Sequence, residues 1–302
     1  MILGMAISNY LRVVGKCRAC SNFRASMQHV DPSKGRAALR SRLLKGSILI
    51  AFAYLLTSSP PLLAQGPSKA EDEAIARLER IYKEARSRFQ ESTNSIETAW
   101  QFGRACFDLA DLAKTDSQRA RFAEEGIDAC RAALARKYSS GPAHYYLAMN
   151  LGELARTKTI GALKLVREME AEFKQAIELD EKFDFGGPHR SLGLLYKDAP
   201  GWPTSVGSRS KARVHLRRAN DLSPDYPDNR LFLLEAYLDW GETKAVVEQV
   251  SSLDDYLATA RAKFSGDAWV LSWLDWDMRV ERLKARTRRA SEKSRTPRGR
   301  TK

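Results

Sequence analysis

The sequence predicts an all-α fold, an α-solenoid of antiparallel helical hairpins, on three observations. Apolar residues recur at helical spacing through the body, beginning with Ile75, Leu78, Ile81, Tyr82, Ala85 and Phe89. Trp100, Tyr145, His189 and Asn229 mark equivalent first-helix positions, at steps of 45, 44 and 40 residues. No segment stands out with the two-residue period of a strand.

Charge divides the 302 residues into three parts. Residues 1–64 carry nine basic and one acidic residue, residues 279–302 eleven and two, and the body, 65–278, thirty and thirty-four. The net +13 therefore belongs to the ends, and the mildly acidic body argues against a nucleic-acid-binding fold. Within 1–64, Lys34, Arg36, Arg40, Arg42 and Lys45 precede a short apolar run from Ser47 to Leu56, stopped by Pro60 and Pro61. This reads as an export signal with Met27 a better-placed start than Met1 and cleavage near Ala64; an uncleaved anchor and a cytoplasmic protein are the alternatives. No lipid-attachment cysteine follows the run. Cys17 and Cys20 form a lone pair with no second pair to complete a zinc site.

In the body, Ser68 with Glu71 opens the first helix as a capping box. Asn94 with Glu97 caps the next, which carries Trp100, Phe102, Gly103, Cys106, Phe107 and Leu109. Thr115 with Gln118 opens its partner through Phe122, Ile127, Cys130 and Leu134. Cys106 and Cys130, on consecutive helices, read as two buried thiols. A second hairpin starts at Tyr145, Tyr146, Leu147 and Leu151, breaks around 157–161 and returns from Leu163 to Leu179.

The third hairpin holds the most regular stretch. Phe173, Ala176 and Leu179 set one apolar face, and Leu192, Gly193 and Tyr196 give a first helix of the L-G-x-x-Y kind. Ala212, Leu216, Ala219, Leu222 and Pro224 close the unit, so the pattern is tetratricopeptide-like. Gly193, Ala212 and Ala219 let two helices approach, and Pro224 stops the second because it has no N–H to donate. A fourth hairpin follows Pro227, with Leu231, Phe232, Tyr237 and Trp240, a break at Gly241 and one helix to about Lys263. From about Asp267, Trp269, Trp273 and Trp276 form a stripe that either caps the solenoid or presents a partner face. Residues 279–302 read as a basic disordered tail, either solvated or touching an anionic membrane.

One insertion interrupts the pattern. The step from Gly193 to Ala212 is 19 residues, against about 12 in the regular motif. Pro200, Gly201, Pro203 and Gly207 stiffen and bend this loop, and Trp202 either plugs its own hairpin or binds a partner. Arg190, on the preceding helix, would hold the loop's carbonyls or meet an anionic ligand. The candidate ligand- or partner-binding residues are Arg190, Tyr196, Trp202, Tyr145, Tyr146 and Trp240.

Catalytic signatures are missing: there is no phosphate loop, H-E-x-x-H, G-x-S-x-G or Rossmann fingerprint. His29, His144, His189 and His215 are not at ligand spacing with another His or Cys, and the carboxylates are scattered beside Lys and Arg along helix faces. The expectation is a non-enzymatic protein with no metal, cofactor or nucleic-acid partner.

Gly187-Pro188-His189-Arg190 with Leu192, Gly193 and Tyr196, then Ala199-Pro200-Gly201-Trp202-Pro203 with Ser205, Val206 and Gly207, then Lys211-Ala212-Arg213, and Pro224-Asp225-Tyr226-Pro227-Asp228-Asn229 together resemble the T-component family of tripartite ATP-independent periplasmic (TRAP) transporters. The similarity spans residues 95–260 and is strongest over 160–240. It implies a periplasmic, tetratricopeptide-like helical protein that associates with a solute-binding protein. It also implies a possible homo-oligomer and an apolar small ligand. A generic tetratricopeptide-like interaction scaffold is the alternative.

Overall fold

A computed structural model describes residues 68–158 and 160–295. The leader, Cys17, Cys20, the cleavage region and residues 296–302 lie outside the described residues. The helices are α1 (Lys69–Glu91), α2 (Ile96–Leu112), α3 (Asp116–Arg136), α4 (Gly141–Arg156), α5 (Ala162–Asp180) and α6 (Phe183–Asp198). They continue as α7 (Arg209–Leu222), α8 (Pro227–Asp239), α9 (Thr243–Val250), α10 (Leu253–Lys263) and α11 (Val270–Arg295). The described residues hold no β-strand, and one isolated bridge joins Gly201 to Gly207. The fold is the expected all-α solenoid: α2–α3, α4–α5 and α6–α7 are successive helical hairpins, with α1 on α2 and α8 on α7. Among the described residues no helix is long and apolar enough to cross a membrane.

Caps set the helix starts. Ser68 accepts from the Glu71 N–H and Thr115 from the Gln118 N–H, as the sequence suggests. At α2 the cap is Ser95, one residue beyond the expected Asn94, with Ser95 accepting from the Thr98 N–H while the Asn94 side chain receives Arg136 at 3.5 Å. The single helix expected after Gly241 is two. Ser251 and Ser252 donate their hydroxyls back to the Glu248 and Gln249 carbonyls, a local bond that competes with the helical ladder and separates α9 from α10.

Close approach through small residues holds neighbouring hairpins together. A Cβ on Gly193 would stand 2.8 Å from Leu216 Cγ, so α6 and α7 meet at van der Waals limit. A Cβ on Gly126 would overlap the buried Asn150 amide, which donates to the Gly103 and Tyr146 carbonyls at 2.8 Å each. Asn150 thereby ties α4 to α2, and only glycine leaves it room. Cys106 and Cys130 are buried free thiols.

The C-terminal end departs from the sequence reading. Residues 279–295, expected in a disordered tail, continue α11. Trp276, Val280, Leu283 and Thr287 recur at helical spacing and are buried, while Lys284 and Arg286 reach Asp254 and Asp239 at 2.6 Å. Trp269 stands in a short 3-10 turn before α11; it and Trp276 pack against Tyr226 and Phe264, and Trp273 donates its indole N–H to the Phe264 carbonyl at 2.6 Å. The tryptophans thus pack mainly inward, and α11 covers α8 and α9 and reaches back to α1.

Gly126→Ala is expected to displace the Asn150 amide and destabilise the protein by about 1–3 kcal/mol, read as a lower urea midpoint with an unchanged m-value.

Candidate functional site

The chain re-enters the array after α5 through a left-handed turn. Asp184, Phe185 and Gly186 have φ values of 49°, 58° and 75°, a conformation that costs about 1–2 kcal/mol for each residue bearing a Cβ. Something must hold it, and Arg190 does. Its guanidinium donates to the Asp184 and Phe185 carbonyls at 3.2 and 3.3 Å, to Asn229 Oδ1 at 3.1 Å and to Asp184 Oδ2 at 2.9 Å. Asn229 donates in turn to the carbonyls of Phe185, Ala219 and Ser223 at 2.9, 2.9 and 3.1 Å, which joins α8 and α7 to the same turn. Phe185 stacks on Tyr226 at 4.5 Å beneath this clamp. Burial pushes the Asp184 carboxyl up, and the neighbouring Arg190 charge opposes that shift.

The turn places Phe183 against Trp100 and Tyr146, each pair of rings 6.0 Å apart. Trp100 and Tyr146 are also 6.0 Å apart and parallel within 3°. These rings form one wall of a cavity of about 520 Å³ between α1, α2, α4 and the turn, a volume ordinary for a small-molecule site. Leu78, Ile81 and Ala85 of α1 face it, and Arg104, Ala105, Asp108 and Asp184 supply the rest of its centre. Arg104 Nε stands 4.0 Å from Asp108, an ion pair beyond hydrogen-bond range. Burial raises the Asp108 carboxyl to about 6; Arg104 lowers it, while Asp111 and Asp184 add to the rise. Glu97 at the rim accepts from Trp100 Nε1 at 2.8 Å and Gln101 Nε2 at 2.6 Å.

Of the six candidate binding residues, Tyr146 lines this cavity. Tyr145 lies behind it, fully buried, and donates its hydroxyl to Asp184 at 3.1 Å. Arg190 does not hold the 198–207 loop: its two terminal nitrogens donate to the turn and to Asn229, and its buried Nε meets no acceptor among the described residues. Tyr196 is buried and donates to Glu170 at 2.7 Å. Trp240 lies under Arg209 and Arg213, whose charges meet Glu242. Trp202 is 87% exposed and does not plug its hairpin. The loop closes through its backbone instead, with the Gly207 N–H donating to the Pro200 carbonyl and the Ser208 N–H to the Tyr196 carbonyl, both at 2.8 Å. Sequence reasoning placed Trp100 in a helix stripe and passed over Arg104, Asp108 and Phe183. The available signal was Trp100, Arg104 and Asp108 at i, i+4 and i+8, a charged pair on an apolar face.

A second polar cluster joins residues far apart in sequence. His189 and His215 approach Nδ1 to Nδ1 at 2.9 Å, and His189 Nε2 meets Glu181 at 3.2 Å. The pairing that sequence spacing did not suggest comes from α6 lying on α7. Burial lowers both histidines, His215 to about 4. Among the described residues no group of three or more His, Cys, Asp or Glu side chains is arranged for a metal ion.

Among the comparisons with known proteins, one solved structure bears on the architecture. The family described as "Regulator of microtubule dynamics protein 1-3" matches residues 62–185, less than half of the chain. The crystal structure of a thermophilic TPR protein of Thermus thermophilus is similar at 18% identity and a TM-score of 0.52, covering 70% of this chain and 93% of that one. No curated protein matches the chain in sequence. The structural likeness carries the tetratricopeptide-like fold.

Arg190→Met is expected to strand a buried Asp184 and cost about 3–5 kcal/mol in urea unfolding, while Trp202→Ala shifts stability by less than about 0.5 kcal/mol. A second expectation concerns pH. His215 titrates at about 4 in the fold and near 6.5 when unfolded, so the unfolded chain binds the extra proton between these values. Its contribution is fully present above about 6.5 and is lost as pH falls toward 4. The drop in urea midpoint from pH 7 to pH 5 should therefore shrink in His215→Gln.

Proposed function

We propose that this protein is a non-enzymatic binding component, a tetratricopeptide-like frame whose interior cavity holds an apolar ligand while its outer surface engages a second protein. The observation that carries the reading is the cavity itself, walled by Trp100, Tyr146 and Phe183 on one side and α1 on the other. Its rings are fixed before any ligand arrives, because the Arg190 clamp sets the turn that bears Phe183. A preformed apolar site loses little to ordering on binding. The resemblance of Gly187–Asn229 to TRAP T-components supports the finer reading, an exported protein whose partner is a periplasmic solute-binding protein. The export signal read in residues 34–64 agrees with that location.

The generic interaction scaffold is a second reading, favoured by the surface. Trp202 stands out from its loop beside α7, whose Lys211 and Arg218 are exposed with Val214. Exposed aromatic and apolar residues in basic surroundings are common at protein interfaces.

Native mass spectrometry of the full-length purified chain tests the leading reading. The expected result is a mass increment removed by organic extraction and absent from Ile81→Trp, a variant that fills the cavity from its half-buried wall. A native mass equal to the polypeptide, together with no apolar ligand taken up on incubation, would overturn it. Co-purification of a solute-binding protein checks the finer partner assignment.

A further inference from the structure

Resting on the cavity reading above, we propose that the ligand is a small carboxylic acid with an apolar body, its carboxylate received by the Arg104 guanidinium. A guanidinium presents five N–H donors in a planar fork. Arg104 makes no hydrogen bond with any described residue, and its nearest acidic neighbour, Asp108, is 4.0 Å away. Its side chain is only 20% exposed, so bulk water supplies few acceptors. The other charged groups around the cavity already have close partners. Asp184 holds Arg190 at 2.9 Å, Glu97 accepts from Trp100 and Gln101, and Arg88 donates to Glu84 at 3.3 Å. Unused donors beside an apolar wall fit a carboxylate, which takes two parallel N–H bonds from one guanidinium.

The sign of the ligand charge follows from which member of the pair can yield. Arginine keeps its proton under all ordinary conditions, whereas a half-buried carboxyl accepts one readily. An incoming anion can meet Arg104 while Asp108 takes up a proton; Asp108 already titrates near 6. An incoming cation would face a guanidinium that cannot be discharged. The apolar body then lies along Trp100, Tyr146 and Phe183, whose centroids are all 6.0 Å apart. The cavity volume of about 520 Å³ suits a free small acid rather than a length of folded partner.

Calorimetric titration of the full-length protein with dodecanoic acid, 1-dodecanol and dodecylamine tests this. The acid should bind at least about tenfold tighter than the alcohol, a difference of about 1.4 kcal/mol, with the amine weakest. Arg104→Gln should erase the preference for acid over alcohol, and Arg104→Lys, which keeps the charge without the fork, should retain part of it. Circular dichroism melts of both variants identify any loss of fold, in which case the acid–alcohol–amine series on the native protein decides alone. Equal affinity for acid and alcohol, or tighter binding of the amine, overturns the carboxylate assignment while leaving the cavity reading intact. Absence of binding by all three, or binding unaffected by Ile81→Trp, overturns the cavity reading itself. A free apolar tripeptide that binds tighter than dodecanoic acid and loses affinity on C-terminal amidation overturns the small-acid source in favour of a peptide terminus.

Discussion

A buried arginine governs the middle of this molecule. Arg190 offers its donors to two carbonyls of a left-handed turn, to the carboxylate within that turn and to Asn229 one hairpin on. Left alone, Asp184 and Phe185 would abandon positive φ, since a Cβ collides with the following carbonyl there. With Arg190 in place, leaving the turn would strand a buried charge, a larger cost than the backbone strain. The turn in turn directs Phe183 toward Trp100 and Tyr146 and places Phe185 under Tyr226. The cavity wall and the packing of the next hairpin thus depend on one guanidinium.

The same solution recurs at the C-terminal end. Arg279 donates to Glu235 at 2.9 and 3.0 Å and to Asp228 at 2.7 Å while lying 3.9 Å over the Phe232 ring. Burial raises Asp275 beside it to about 7, with Arg279 opposing the rise. Two buried arginines therefore fasten consecutive parts of the solenoid from within, one through α6 and α8, the other through α8 and α11. Such clusters add little net stability when intact, because each ion loses its water on burial, but are costly to break.

The motif residues of the third hairpin thereby acquire a physical meaning. Arg190 and Asn229, two positions of the Gly187–Asn229 signature, form the clamp, and Gly193 allows Leu216 its approach. These residues preserve an architecture. The groups that face the cavity, Arg104 and Asp108 above all, lie outside that signature on α2. Resemblance in the signature consequently speaks to the frame, and the chemistry of the cavity has to be read from the groups that line it.

What the sequence determined by itself was local: helical spacing, the Ser68 and Thr115 caps, the stop at Pro224 and the closeness demanded by Gly193. Each depends on residues within a few positions of one another or on the size of a single side chain. Composition misled where it was read without periodicity, for the buried stripe of Trp276, Val280, Leu283 and Thr287 is dispersed among basic residues that pair at its edges. Only the tertiary structure decided that Arg190 serves a turn and not the insertion, that Trp202 faces solvent, and that His189 meets His215. It also decided that Arg104 and Phe183, 79 positions apart, share one cavity. Such pairings follow from how one hairpin settles on the next, a long-range packing outcome that no local spacing encodes.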